Sequence, residues 1–252
     1  GFYKGWVADD LLGKFPSLGW RHRQRDLSMA LSPYVQPIPS NFRGSSLWEC
    51  PTPLQGVIAV VLLNIMSGVE PSVSPPLSVD RIHHEIEAGR IAYRDRNLYL
   101  ADPEFSDVPV DQMLSADYAA AIRAQINPDK AYADLPPTTL PPHKHTVYIT
   151  VVDKDRNACS LINTVFHSFG AGLMTPQSGI VLQCRGQGFV VDPGHPNCIA
   201  PGKRPLHTII PGMATKDGKT VMSFGVMGGE YQAFGHMQFL TRLFDYGMDI
   251  QQ

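Results

Sequence analysis

The sequence predicts an α+β fold, and three features carry the prediction. Residues 1 to about 126 contain long stretches with helical hydrophobic spacing, whereas the residues from 146 onward fall into short β-branched runs separated by turn residues. Between them lies NPDKAYADLPPTTLPPHKH, residues 127–145, with five prolines and little periodic hydrophobicity. A loop this long within a compact domain generally has a function or is disordered.

Each element follows in order. Leu54 to Met66 is apolar nearly all round and reads as a buried helix. Ser78 to Tyr93 is amphipathic, with Ser78 as N-cap. A third helix is expected over Val110 to Ile126, where alanines are dense and a capping-type DVPVD leads in. Beyond the proline-rich segment, strands are expected at TVYITVVD, ACSLINTVF, SGIVLQC, HTIIPGMAT and KTVMSFGV, with turns at DKDRN and KDGK. A closing helix runs from Tyr231 to Gly247, with Met237, Leu240, Leu243 and Phe244 at helical spacing and Gly247 as C′ residue.

Bulk composition narrows the function classes. With 252 residues, 43% hydrophobic and 17% charged, the chain can bury a substantial core. A formal net charge of −2 with no run of like charge argues against a nucleic-acid partner or a polybasic membrane anchor. The longest apolar run, Val57 to Met66, is about half of what a bilayer crossing requires. The four cysteines, Cys50, Cys159, Cys184 and Cys198, lack CxxC spacing, so neither a zinc knuckle nor a disulfide scaffold is expected, and a reducing compartment fits slightly better.

The run TVYITVVD begins on a threonine at the end of a loop that looks cuttable. A threonine hydroxyl is a poor nucleophile without a base beside it. Making it the first residue of a chain supplies one, because the α-amino group has a pKa of about 8 and can take the proton. A cut before Thr146 would create that pair. Threonine also opens strands because its branched Cβ suits a pleated surface, so pattern alone leaves both readings open. A hairpin through DKDRN would bring Asn163 and Thr164 alongside the first strand. GVMGGE, residues 225–230, ends a strand on two glycines before a helix, where backbone N–H groups can stabilise an oxyanion; a tight turn needing positive φ is the structural reading of Gly228 and Gly229.

The segments TVYITVVDKDRNA, FGAGLMTPQSGIVLQ, APGKRPLHTIIPGMATKDGKT, GVMGGE and DYGMDIQQ resemble the small subunit of the gamma-glutamyltranspeptidase family of N-terminal-nucleophile hydrolases. FYKGWVADDLL, ECPTPLQGVIAVVLLNIMSG and HHEIEAGRIAYRDRNLYLADPEF resemble the end of its large subunit. The agreement runs in order over nearly the whole chain. The resemblance implies a four-layer αββα sandwich, of which this is a partial chain. Residues 1–145 are then the C-terminal part of the large subunit, and 146–252 most of the small one. It implies cleavage between His145 and Thr146, Thr146 as nucleophile, Thr164 as a supporting threonine, and Gly228 and Gly229 as the oxyanion hole. It further implies an upstream portion carrying an arginine for the substrate carboxylate, in a protein roughly twice as long.

Departures from the family pattern fall where the substrate would sit. The acidic residue that holds a glutamyl amino group is replaced by Gly188, the asparagine of the second strand by Phe166, the supporting glutamine by Arg185, and the paired serines by His207 and Thr208. A site that hydrogen-bonds a zwitterionic head loses several orders of magnitude in discrimination when such groups go, so glutathione is not the expected substrate. Arg185, if it faces the pocket, offers a planar fork for a carboxylate, with Phe166 narrowing the space; a surface or interdomain salt bridge is the alternative. This pattern resembles the branch of the family that includes oxamate amidohydrolases.

The expected activity is therefore hydrolysis of a small amide acid or γ-glutamyl-like amide through an acyl-enzyme, without metal or organic cofactor. Alternatives are a true gamma-glutamyltransferase or glutathione hydrolase, a cephalosporin acylase, and an uncut inactive relative with a binding role. The expected partners are a small amide substrate and the large and small subunits of one precursor paired as a heterodimer, or a dimer of these; a cytoplasmic location is expected, with a periplasmic or secreted one as the alternative. Of the histidines, His143 and His145 lack neighbours that would complete a metal shell. His83 and His84 point about 100° apart on a helix surface, and His236 is expected to pack within the last helix. Pro201, Gly202 and Lys203 are read as a turn shaping the site wall.

Overall fold

The computed structural model describes residues 2–30, 32–133 and 146–252. They form two compact units: residues 1–35 with 165–185, and residues 36–164 with 186–252. The smaller contains α1 (Trp6–Lys14), a 3-10 turn at Phe15–Leu18 and α2 (Gln24–Met29), with an irregular stretch over 165–185. Leu11, Phe15 and Leu182 make its core, flanked by Val7, Leu12, Trp20, Leu173 and Ile180. The Asp10 carboxylate accepts hydrogen bonds from the Ser178 amide and hydroxyl, both at 2.7 Å. Those bonds hold its pKa below the usual value despite the opposing effect of burial.

The larger unit is built on a four-stranded antiparallel sheet of order β1-β2-β5-β6. β1 (Ile38–Phe42) and β2 (Ser45–Glu49) form a hairpin turning through Arg43 and Gly44, both at positive φ as a two-residue primed turn requires. α3 (Gly56–Ser67) follows; ten of its twelve residues are buried, as its all-round apolar sequence demands. α4 (Val79–Tyr99) starts at Ser78, whose hydroxyl accepts from the Arg81 amide, the expected cap. α5 (Val110–Met113) and α6 (Ala116–Gln125) come next. β3 (Val147–Val152) and β4 (Ala158–Asn163) form a separate antiparallel hairpin. β5 (Gly212–Lys216) and β6 (Lys219–Phe224) close the sheet, and α7 (Gln232–Tyr246) ends at Gly247 with φ 65. Helices cover one face of the sheet: Phe42, Leu47, Ala214 and Phe224 share a core with α3, with Ala88 and Ile91 of α4, and with Ala233, Met237 and Leu240 of α7. α4 and α7 cross closely at Gly89, where a Cβ would stand 2.7 Å from the Phe234 ring. No helix among the described residues is long and apolar enough to cross a membrane.

Four expectations need correction. The helix-rich first half contains the β1–β2 hairpin; Pro39 masked β1, but this strand lies at the sheet edge, where a missing N–H is tolerated. The helix expected over 110–126 is two helices, broken because the Ser115 hydroxyl accepts from the Tyr118 amide and starts a new one. SGIVLQC is not a strand and makes one isolated bridge, Met174 to Val181. The strand expected from His207 begins only at Gly212, because Pro211 lacks a donor and His207 pairs instead with Leu54.

Candidate functional site

The β3–β4 ladder fixes the position of Thr146. Its last pair is Val147 with Asn163, so one step further in the same register Thr146 stands opposite Thr164, and both are half-buried. The Tyr148 hydroxyl lies 3.1 Å from the Ser160 hydroxyl and 2.8 Å from that of Ser223. Ser160 also donates to the Phe224 carbonyl at 3.3 Å. The Tyr148 ring covers Gly225, where a Cβ would be 2.5 Å from it. Since Ser160 meets residue 224, and Tyr148, the cross-strand partner of Ile162, meets Gly225, β4 and β6 run in the same direction here. Both therefore exit at one end, where Thr164 follows β4 and Gly228 follows β6.

Gly228 (φ 133) and Gly229 (φ 55) turn the chain from β6 into α7 through a 3-10 turn, Gly229–Tyr231. Both conformations suit glycine, so the structural reading of the pair holds. The Gly228 carbonyl accepts from the Tyr231 amide at 3.1 Å. The amides of Gly228 and Gly229 stand at the N-terminal end of the turn, whose own ladder does not use them.

A group of side chains not foreseen from sequence surrounds this turn. Gln55 is fully buried; its amide nitrogen donates to the Thr208 carbonyl at 2.8 Å and the Gly229 carbonyl at 3.0 Å. Its oxygen accepts from Arg96 at 2.9 Å, and Arg96 also pairs with the Glu230 carboxylate. The Tyr93 hydroxyl donates to the Glu230 carbonyl and accepts from the Phe234 amide at 3.3 Å. Burial pushes this phenol up to about 12, so it stays a donor at neutral pH. One signal could have revealed Gln55. A glutamine immediately before a helix that is apolar all round is buried at its base, and a buried amide needs partners.

The wall segments follow. The Gln55 backbone N–H donates to the His207 carbonyl and the His207 backbone N–H to the Pro53 carbonyl, both at 3.0 Å, which fixes the His207–Thr208 stretch; Thr208 is 1% exposed. Gly188 packs on this stretch: a Cβ there would stand 2.7 Å from the Leu206 carbonyl oxygen. The buried Asn197 locks the approach, donating to the Gly188 carbonyl at 2.6 Å and accepting from the Leu206 amide at 3.1 Å. Gly188→Ala is therefore expected to cost about 1–3 kcal/mol by urea denaturation, since backbone must move. An acidic anchor at this position would face the same obstacle. Arg204 is tied to Asp102 at 2.6 Å, which seats the turn at Pro201–Lys203, where Gly202 has φ 76.

In the smaller unit Arg185 is 3% exposed, and its guanidinium lies 3.8 Å from the centroid of the Phe166 ring. Phe166 is not on the second strand, as expected, but beyond it, at φ 78. The two residues thus form one stacked pair. His145, the His143–His145 pair and the 145–146 bond lie outside the described residues. Among the described residues no three His, Cys, Asp or Glu side chains cluster as a metal ion would need.

Comparison with known proteins bears on this geometry. The gamma-glutamyltranspeptidase family model matches residues 1–252. A glutathione hydrolase proenzyme of Pseudomonas sp. (strain A14) is 37% identical over 100% of this chain and 46% of its own length. An oxamate amidohydrolase proenzyme of Klebsiella pneumoniae is 31% identical over 100% of this chain and 47% of its own. Among solved structures, cephalosporin acylase from Bacillus halodurans superimposes with a TM-score of 0.89 at 38% identity, covering 98% of this chain and 45% of that one. The chain spans about half the length of the curated relatives it matches.

Proposed function

The chain belongs to the gamma-glutamyltranspeptidase family, and on that premise we propose that it is the central part of a self-processing threonine amidohydrolase. Residues 1–145 end the large subunit and 146–252 begin the small one, the two remaining paired after cleavage between His145 and Thr146. The observation that supports the reading is the shared exit of β4 and β6, with Thr164 and the Gly228–Gly229 turn following at the end of the hairpin where β3 begins.

In the reaction, the Thr146 amine accepts the proton of its own hydroxyl while Oγ bonds to the substrate carbonyl carbon. The carbonyl π pair moves to oxygen, and the oxyanion is held by the Gly228 and Gly229 amides. Collapse restores the carbonyl and breaks the C–N bond, and the leaving nitrogen takes the proton from the Thr146 ammonium. Water, deprotonated by the same amine, then attacks the ester and releases the acid, returning the proton to the threonine oxygen. Thr164, opposite in register, supports the nucleophile by hydrogen bonding.

The substrate is a small amide that carries a carboxylate. Gly188 offers no anionic anchor for a substrate amino group. Arg185 stacked on Phe166 carries a guanidinium whose N–H groups lie in its plane, the geometry that grips a carboxylate. Parallel assays of oxamate, glutathione and glutaryl-cephalosporin with one purified full-length sample test this. The expected order places oxamate at least about tenfold above glutathione in kcat/KM; glutathione turned over best would overturn the substrate assignment.

A further inference from the structure

We propose that Gln55 is a positioning residue that sets the Gly228–Gly229 turn against the His207–Thr208 segment; this rests on the amidohydrolase reading and adds the device that aligns its oxyanion donors. Three successive carbonyls of the turn are pinned: Gly228 by the Tyr231 amide, Gly229 by the Gln232 backbone N–H and the Gln55 side chain together, and Glu230 by Tyr93. Because a peptide group is planar and trans, drawing the Gly228 carbonyl into the turn directs the Gly229 N–H to the opposite side. The hold on the Gly229 carbonyl then fixes the other side of that residue.

A primary amide has two donor hydrogens, and Gln55 spends one on Gly229 and the other on Thr208. The distance between the two segments is thereby fixed by a single rigid group. The amide cannot reverse, because Arg96 donates to its oxygen and a flipped amide would set that oxygen against two carbonyls. Arg96 is 3% exposed and also holds Glu230, so the same cation orients the glutamine and the residue after the glycines. Gln55 thus acts through the glycines, and its loss should weaken an interaction strongest in the transition state.

The test uses full-length protein with Gln55→Glu and Gln55→Asn. Gln55→Glu keeps the volume and the bond to Arg96 but turns acceptor oxygens toward two carbonyls; Gln55→Asn keeps the donors one methylene short. The expected result is kcat on the best of the three amides lowered roughly 10- to 100-fold with KM within about twofold, in samples whose thermal unfolding confirms a fold. Should Gln55→Glu fail to fold, Gln55→Asn carries the test. A kcat within twofold of wild type in either folded variant, or a rise in KM alone, overturns the inference. Wild-type protein that turns over none of the amides overturns the function itself and this inference with it, whereas an active wild type with unaffected variants removes only the inference.

Discussion

Thr146→Ala in the full-length protein is expected to leave one uncut chain on a denaturing gel and to lower amide turnover by about 10⁴-fold or more. The size of the effect follows from the double use proposed for one side chain: the hydroxyl that would attack substrate is also the group that would attack its own preceding carbonyl. Loss of the fold is not the expected cause. Thr146 lies one step beyond the β3–β4 ladder and is only half-buried, so removing its hydroxyl and methyl opens no large cavity. Thr146→Ser, which keeps both the hydroxyl and the future amine, is expected to give two bands and partial activity. An alanine variant that is still cut, or that works within tenfold of wild type, would place the nucleophile elsewhere.

Much of this arrangement could be read from the residues, and the failures share a cause. Ser78, Gly247 and the Asp217–Gly218 turn act locally: a cap, a left-handed C-terminus and a hairpin are decided by a few neighbouring residues. His236 also packs as expected, although its partner, the buried Glu49 at 2.6 Å, lies 187 residues earlier. Burial drives the Glu49 pKa up even with that histidine beside it. The misreadings concern segments whose conformation is decided at a distance. Pro39 is tolerated because β1 turns out to be an edge strand, and the apolar SGIVLQC remains irregular although its pattern is strand-like. The site divided in the same way. Thr146, Thr164 and the two glycines of the proposed site can be named from sequence because their residue types suit the proposed chemistry, whereas Gln55, Tyr93 and Arg96 are ordinary helix or loop residues in sequence. Only the fold makes them the setting of the turn.

A second large effect is expected far from the glycines. Glu85→Ala should destabilise the protein by about 3–5 kcal/mol in urea denaturation, because it removes the buried carboxylate that Arg81 and Arg242 share. On α4 the Glu85 carboxylate accepts from Arg81 at 2.8 Å, from Arg242 of α7 at 3.0 Å and from Gln238 at 3.2 Å. The side chains of Arg81 and Glu85 are fully buried. Arg81 continues to Asp245 at 3.3 Å, and Asp245 to Arg43 of the β1–β2 turn at 2.6 Å, so one chain of ions joins both helices to the sheet edge. Burial alone would raise the Glu85 pKa, but the bonds from Arg242 and Arg81 outweigh it and hold it below the usual 4.5. The sign for stability follows. A carboxyl depressed in the folded state binds its proton more readily when unfolded, so its contribution is complete above pH 4.5 and is lost as pH falls through the depressed folded value. Glu85→Gln should therefore flatten the acid limb of the stability curve, beyond lowering its plateau. The exposed Lys154–Asp155 pair is the contrast: Lys154→Ala should change the free energy of unfolding in urea by less than about 0.5 kcal/mol. A Glu85→Ala cost under about 1 kcal/mol would mean that Asp245 suffices for Arg81 and solvent for the partly exposed Arg242, and the chain of ions would then matter less than the apolar packing of α4 against α7.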